Sequence, residues 1–292
     1  MLIVDFSQVA IAAIMAEMNK PANKNVPLEI DLLRHMILDT IRYNYKKFNG
    51  EYGEMVIACD HSVSWRKEVF PQYKANRKKD RDDSKFDWST IFNAINTVRD
   101  ELQENFPYAV IKVKGAEADD IIGVLCREYG TDSVLSGSDD KILILSGDKD
   151  FRQLQRYSNV SQYSPVGKEA VHVDDPTEFL IEHIIKGDKS DGVPNMLSAD
   201  DCLVKGVRQT VLTSKRKEAL RVDILSGELG DNEKRYNRNK LLIDLANTPS
   251  DISKEILEEY EREKNKELKP GSVFNYFMSK KLRKLMESAN EF

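Results

Sequence analysis

Two rhythms of apolar residues alternate along the first half of the chain. Short unbroken apolar runs, "LIVDFS" at 2–7, "EMVIACD" at 54–60, "YAVIKV" at 108–113 and "KILILSGD" at 141–148, read as buried β-strands. Between them, apolar residues recur every three or four positions in "LEIDLLRHMILDTIRYNYKKF" at 28–48, "DWSTIFNAINTVRDELQENF" at 87–106 and "EADDIIGVLCREY" at 117–129, a spacing that predicts amphipathic helices. Asp87 stands where the second of these needs an N-cap. Alternation of this kind predicts an α/β fold, a mostly parallel central sheet flanked by helices, with "VSQYSP" and "AVHV" as edge strands. From Pro176 onward the pattern is helical: "PTEFLIEHIIKGD", "KRKEALRVDIL", "NRNKLLIDLA", "SKEILEEYEREKN" and "SVFNYFMSKKLRKLMESANEF". Two parts are therefore expected, an α/β core over residues 1–175 and a helical region over 176–292.

A length of 292 residues with 40% apolar content is enough for a substantial core. Asp5 and Glu17 interrupt the apolar start, no basic leader precedes it, and no run approaches a membrane span. The expectation is a soluble cytoplasmic protein with no membrane partner. Cys59, Cys126 and Cys202 are too far apart for a disulfide framework or a zinc site and read as buried thiols. His35, His61, His172 and His183 are scattered, and none stands at metal-ligand spacing. A net charge of −5 argues against a polyanionic partner until its distribution is considered. Residues 66–85 hold eight Lys/Arg against four acids, and residues 205–221 hold six against one.

Negative charge is concentrated too. Three predicted strands end on aspartate, at Asp5, Asp60 and Asp148, with Asp150 two residues further on. In an open parallel sheet, ligands gather at the carboxyl ends of the strands, so these acids share one edge. Glu117, Asp119 and Asp120 open a helix that follows another strand, and Asp188 and Asp191 lie in the turn "GDKSDGVP". Any one of the nine has a plain explanation as a cap or turn former. Together they cannot all ionise in one crevice without cations. Magnesium suits oxygen donors, and two ions about 3.5–4 Å apart can clamp a phosphodiester for in-line hydrolysis. Strand-end aspartates also serve phosphatases and GTPases, but no Gly-rich phosphate loop supports the latter.

The ordered set "VDFS", "ACD", "YKANR", "EADD", "SGDKDF" and "GDKSDGVP" resembles the flap endonuclease and 5′-3′ exonuclease family, and the layout of the whole chain resembles its phage ribonuclease H branch. The resemblance implies a magnesium-dependent nuclease with two ions, manganese substituting, that removes RNA primers and 5′ flaps at flaps, nicks and RNA–DNA junctions. It implies a first ion at Asp5, Asp60, Glu117 and Asp119 and a second at Asp148, Asp150 and Asp191, with Asp188 and Asp120 nearby or acting through water. Residues 62–86 correspond to the family's helical arch, with Pro71 dividing it into two short segments. On that reading Arg66, Lys74 and Arg77 grip the scissile phosphate, and Trp65 and Tyr73 stack on unpaired bases. The sequence departs at Gly192, where the family carries asparagine, and lacks the paired hairpin glycines, which gives no support to a potassium site. Duplex anchoring passes instead to Lys205, Arg208, Lys215, Arg216 and Lys217. The family resemblance points to a monomer, in the host cytoplasm for a phage-encoded member. The terminal helix is a candidate dock for a single-strand DNA-binding protein or sliding clamp, although such helices more often pack on their own domain. Two other readings remain open at this level, a non-catalytic junction-binding module and a single-strand ribonuclease of the PIN type.

Overall fold

The computed structural model describes residues 1–20, 29–84, 86–131 and 140–292, with the backbone alone at 78–80. Lys85 of the basic stretch and the predicted helix start at Leu28 lie outside the described residues. Six strands, β1 (Leu2–Asp5), β2 (Met55–Ala58), β3 (Ala109–Ile111), β4 (Ile142–Leu145), β5 (Val160–Ser164) and β6 (Glu169–Val171), form one sheet in the order β3-β2-β1-β4-β5-β6. All neighbours are parallel except β6, which returns antiparallel to β5. Leu2 pairs with Met55 on one side and Leu143 on the other, so β1 lies at the centre with its successors β2 and β4 on opposite flanks.

Alternation along each strand feeds two cores. Leu2 and Val4 point into a cluster with α1 (Phe6–Met18) and α2 (Ile30–Tyr52), while Ile3 points into the other cluster. The first face is also covered by α5 (Trp88–Asn105), whose N-cap is Asp87 as expected, its carboxylate accepting from Thr90 N at 3.1 Å. The second is covered by α6 (Ala118–Tyr129). Helix α1 has no counterpart among the predicted elements. Its residues are apolar on nearly all sides, so no 3.6-residue period marks it, and it starts on the residue after β1. Helix α2 begins at Ile30 and continues to Tyr52, four residues beyond the predicted end.

Between β2 and α5 the chain forms two short helices, α3 (Trp65–Val69) and α4 (Arg77–Asp82), separated by turns around Pro71. In the C-terminal part, α7 (Pro176–Lys186), α8 (Ser214–Ser226) and α9 (Glu233–Ile243) build a third cluster from Ile184, Ile185, Leu220, Leu242 and Ile243, and Phe70 and Tyr73 belong to it. Later helices return to the sheet. From α10 (Ser250–Lys264), Ile252, Ile256 and Tyr260 join the second core; α11 (Ser272–Ser279), α12 (Arg283–Met286) and Phe292 join the first. The terminal segment thus packs against its own chain. All three cysteines are buried free thiols. Among the described residues, no helix is long and apolar enough to cross a membrane.

Candidate active site at the carboxyl edge of the sheet

With β2 and β4 on either side of β1, the strand order reverses at the centre of the sheet, and that reversal opens a crevice at the carboxyl ends. Asp5, Asp60 and Asp148 stand at those ends, and each has a local duty as well. Asp5 Oδ1 accepts from Gln8 N at 3.2 Å and caps α1. Asp60 Oδ1 accepts from Ala118 N at 3.0 Å at the start of α6, and Asp148 Oδ1 accepts from Asp150 N at 3.0 Å, opening the 3-10 helix Lys149–Arg156. Ser146 Oγ joins two of these ends, donating to Asp5 Oδ2 at 3.1 Å and accepting from Asp148 N. Capping and site building therefore use the same carboxylates.

The stretch 117–120 divides its labour. Asp120 is fully buried: Oδ2 accepts from Glu117 N and Arg66 Nη1, both at 2.9 Å, and Oδ1 from Trp65 Nε1 at 3.2 Å and Thr248 Oγ1 at 3.0 Å. Four donors occupy both oxygens, so Asp120 is a helix cap and counterion, and its sequence assignment as a metal ligand is corrected. Glu117 accepts from Lys74 Nζ at 2.7 Å, Tyr73 Oη at 2.8 Å and Arg66 Nη1 at 3.2 Å. Asp119 forms no hydrogen bond among the described residues. Burial lifts its carboxyl well above the usual range, and Asp148 and Asp5 push the same way against the pull of Lys74.

Asp191 accepts from Arg77 Nη2 at 2.6 Å, with Tyr73 Oη, whose single hydrogen is shared with Glu117, 3.0 Å away and Lys74 Nζ 3.7 Å away. Asp188 is saturated: Ser190 N and Oγ and Asp191 N donate to Oδ1, while Lys149 Nζ and His183 Nε2 lie 2.9 and 3.2 Å from Oδ2. It too lacks a free lone pair for a cation, a second correction to the ligand set. The remaining acids are the uncompensated ones. Burial, with Asp60 and Asp148 nearby, raises Asp5 to about 7. Asp150 is also raised to about 7, mainly by burial, with Asp148, Asp188 and Asp191 pushing the same way against the pull of His183, and its Oδ1 is buried without a hydrogen-bond partner.

Three of the basic and aromatic assignments are revised. Arg66 is 2% exposed and spends its guanidinium on Asp120, Glu117 and Leu242 O, so it cannot reach a phosphate. Trp65 and Tyr73 are buried with their polar atoms turned onto the acids, and present no ring face to an unpaired base. Lys74 and Arg77 do stand at the acids. The backbone of Lys74 is left-handed (φ 54°), and its N–H donates to Asp191 O at 2.8 Å, which seats it against the turn 188–193. Lys205, Arg208, Lys215 and Arg216 are exposed and Lys217 half-buried, on α8 and the loop before it. His183, set aside in the sequence, lies 3.2 Å from Asp188 and 3.5 Å from Asp150. Its position in the last turn of α7, directly ahead of "GDKSD", was the available signal.

Hard oxygen donors, uncompensated buried charge on Asp5, Asp119 and Asp150, and an orphaned Asp150 Oδ1 together fit a divalent cation. Residues 1–182 match the model of the 5′-3′ exonuclease N-terminal resolvase-like domain, and residues 176–292 match that of the T4 RNase H C-terminal domain. Ribonuclease H of Enterobacteria phage T4 is 34% identical across 99% of this chain and 95% of that protein. A 5′-3′ exonuclease of Buchnera aphidicola is 28% identical across 55% of this chain and 52% of that one. In fold, the chain matches a bacteriophage T5 flap endonuclease solved with DNA and metal ions, with a TM-score of 0.59 at 19% identity, covering 89% of this chain and 99% of that one. The chain is a member of the 5′-3′ exonuclease family of nucleases, related over nearly its whole length to phage T4 ribonuclease H.

Proposed function

We propose that the protein uses divalent cations, two Mg2+ ions with Mn2+ able to substitute, to hydrolyse phosphodiesters at 5′ flaps, nicks and RNA–DNA junctions, removing primers and flaps during replication. The observation that carries this reading is the set of uncompensated acids at the sheet edge, Asp5, Asp119 and Asp150, in one crevice with Glu117 and Asp191, the acids that hold Lys74 and Arg77. Asp5, Asp60, Glu117 and Asp119 would hold one ion; Asp148, Asp150 and Asp191 would hold the other. Bound there, the cations would offset the negative charge on the phosphoryl and leaving-group oxygens as water attacks phosphorus.

The chain's own groups do the rest. Lys74 and Arg77 are paired with Glu117 and Asp191, and cations on those acids free both side chains for the phosphate oxygens, Arg77 being the more exposed of the two. Lys205, Arg208, Lys215, Arg216 and Lys217 bind the duplex through phosphates, so affinity falls steeply with salt and carries little base preference. The region beyond residue 175 then holds the duplex and also lends Asp191 to the metal site. We further place the protein as a monomer in the host cytoplasm. Tyr276 and Phe277 of the terminal helices are spent on their own core, while Phe274 and Met278 stay exposed as the apolar surface there that a single-strand-binding protein or clamp could meet.

A denaturing-gel assay on a 5′ flap, a nicked duplex with an RNA 5′ segment and a free single strand, with magnesium or EDTA, tests the reading. Junction substrates are expected to be cut only with metal and not by Asp148→Asn, which still binds DNA. Binding without cleavage under every divalent metal would leave a junction-binding module, and cleavage confined to the free strand would leave a single-strand nuclease.

A further inference from the structure

Two buried polar atoms at the sheet edge lack any hydrogen-bond partner and face one another, His183 Nδ1 and Asp150 Oδ1, 3.5 Å apart. His183 is 6% exposed, so water does not serve it freely. The other ring nitrogen determines what Nδ1 presents. Nε2 stands 3.2 Å from Asp188 Oδ2, and a carboxylate paired with Lys149 and bonded by Ser190 only accepts. Nε2 therefore carries the hydrogen, and Nδ1 turns a lone pair toward a carboxylate oxygen that is also unshared. Two buried lone pairs in opposition call for a positive centre between them, a proton when the site is empty or a cation when it is filled.

The spacing suits such a centre. Donor atoms about 2.1 Å from one cation stand about 3.0 Å apart at a right angle and about 3.4 Å apart at the tetrahedral angle. A carboxylate that orients the far N–H of a histidine is the usual support of a metal-binding imidazole. Asp188, which has no lone pair left for a cation, is placed for that supporting role. We propose that His183 Nδ1 is a nitrogen ligand of the cation held by Asp150, with Asp188 as its positioning residue, so that this position favours Mn2+ and later first-row cations over Mg2+ and Ca2+. The inference rests on the metal-nuclease reading and deepens it. A nitrogen donor raises affinity along the series from Mn2+ onward, while Mg2+ and Ca2+ gain little from it.

The test uses full-length protein with Mn2+ and no DNA. Electron spin-echo spectra of the bound Mn2+ should show hyperfine coupling to a directly bound imidazole nitrogen. His183→Gln, whose amide N–H can still reach Asp188, should lose that coupling and weaken Mn2+ binding by on the order of tenfold or more, with Ca2+ binding nearly unchanged. Absence of nitrogen coupling in the wild-type spectrum overturns the proposal without recourse to any variant, as does an equal loss of Mn2+ and Ca2+ affinity in His183→Gln. Junction cleavage without nitrogen coupling sinks this inference alone; nitrogen coupling without any cleavage sinks the nuclease reading and leaves the ligand assignment standing.

Discussion

Asp119 and Asp120 are neighbours in sequence with opposite surroundings. Asp120 is enclosed by four donors and balances a buried guanidinium, so Asp120→Asn leaves Arg66 short of counter-charge inside the protein. That change should cost about 3 kcal/mol, read as a lowered urea midpoint. Asp119 stabilises nothing by itself. Its carboxyl is raised by burial, so folding penalises its ionised form, and Asp119→Asn should leave the metal-free protein as stable as wild type or more so, while abolishing cleavage. Divalent cation should stabilise wild type by about 2.7 kcal/mol at a hundred times its dissociation constant, read as a raised thermal midpoint, and stabilise Asp119→Asn much less. At this scale the sequence showed which acids gather at the edge, since strand ends are legible. It could not show which of them are already satisfied, because the partners Trp65, Arg66 and Thr248 are distant in sequence and arrive only with the fold.

Elements meet where the turns between α3 and α4 approach the turn 188–193. Gly192 has φ 74°, and a Cβ there would stand 2.7 Å from Gln72 O and 3.3 Å from Lys74 N. Gly192→Ala should displace Lys74 from Glu117 and slow flap cleavage by about tenfold or more, a loss of about 1.4 kcal/mol in transition-state stabilisation, with duplex binding little changed. Gly206→Ala is the control, since Gly206 has φ 67° and open space around its Cβ, so equal defects in both variants would remove the contact from the explanation. The departure from asparagine at 192, visible in the sequence as a lost potassium signature, thus has a packing cause that only the approach of residues 72–74 reveals.

A second junction joins α2, α5 and α11 through Glu101, which accepts from Arg34 at 2.8 Å and Tyr276 at 2.7 Å and pairs with Lys280 at 2.8 Å. Burial pushes this carboxyl up, but those bonds hold it below its ordinary 4.5. A depressed carboxyl contributes stability above its unfolded value and loses it as pH falls through the folded one. Thermal midpoints of wild type and Glu101→Gln should therefore differ at pH 7 and converge as pH drops below about 4.5.

Across the whole molecule, the strands of the sheet are the most legible part of the sequence, because buried parallel strands are continuous apolar runs with acids at their ends, whereas their order appears only in the fold. Helix α1 escaped because an all-round apolar helix carries no period. The return of α10, α11 and α12 to the two sheet cores escaped because an amphipathic stripe shows that a face is buried without showing against what. Phe292 illustrates the point: its ring lies 5.4 Å from Phe106 and 5.1 Å from Phe277, in the first core. Phe292→Ala should lower stability by about 3 kcal/mol with no direct effect on the acids, measured as denaturant midpoint against cleavage rate at saturating metal.

Phe70 and Tyr73 lie in one hydrophobic cluster with Ile184, Val193, Leu220 and Leu242, while Tyr73 Oη also holds Glu117 and Asp191. A close-packed cluster transmits displacement instead of absorbing it. The helices beside the basic loop and the lysine beside the acids are thus two arms of a single lever, with Tyr73 at its fulcrum. On the proposed reading, a duplex held by the helical region would press on the same cluster that seats Tyr73, one residue from Lys74.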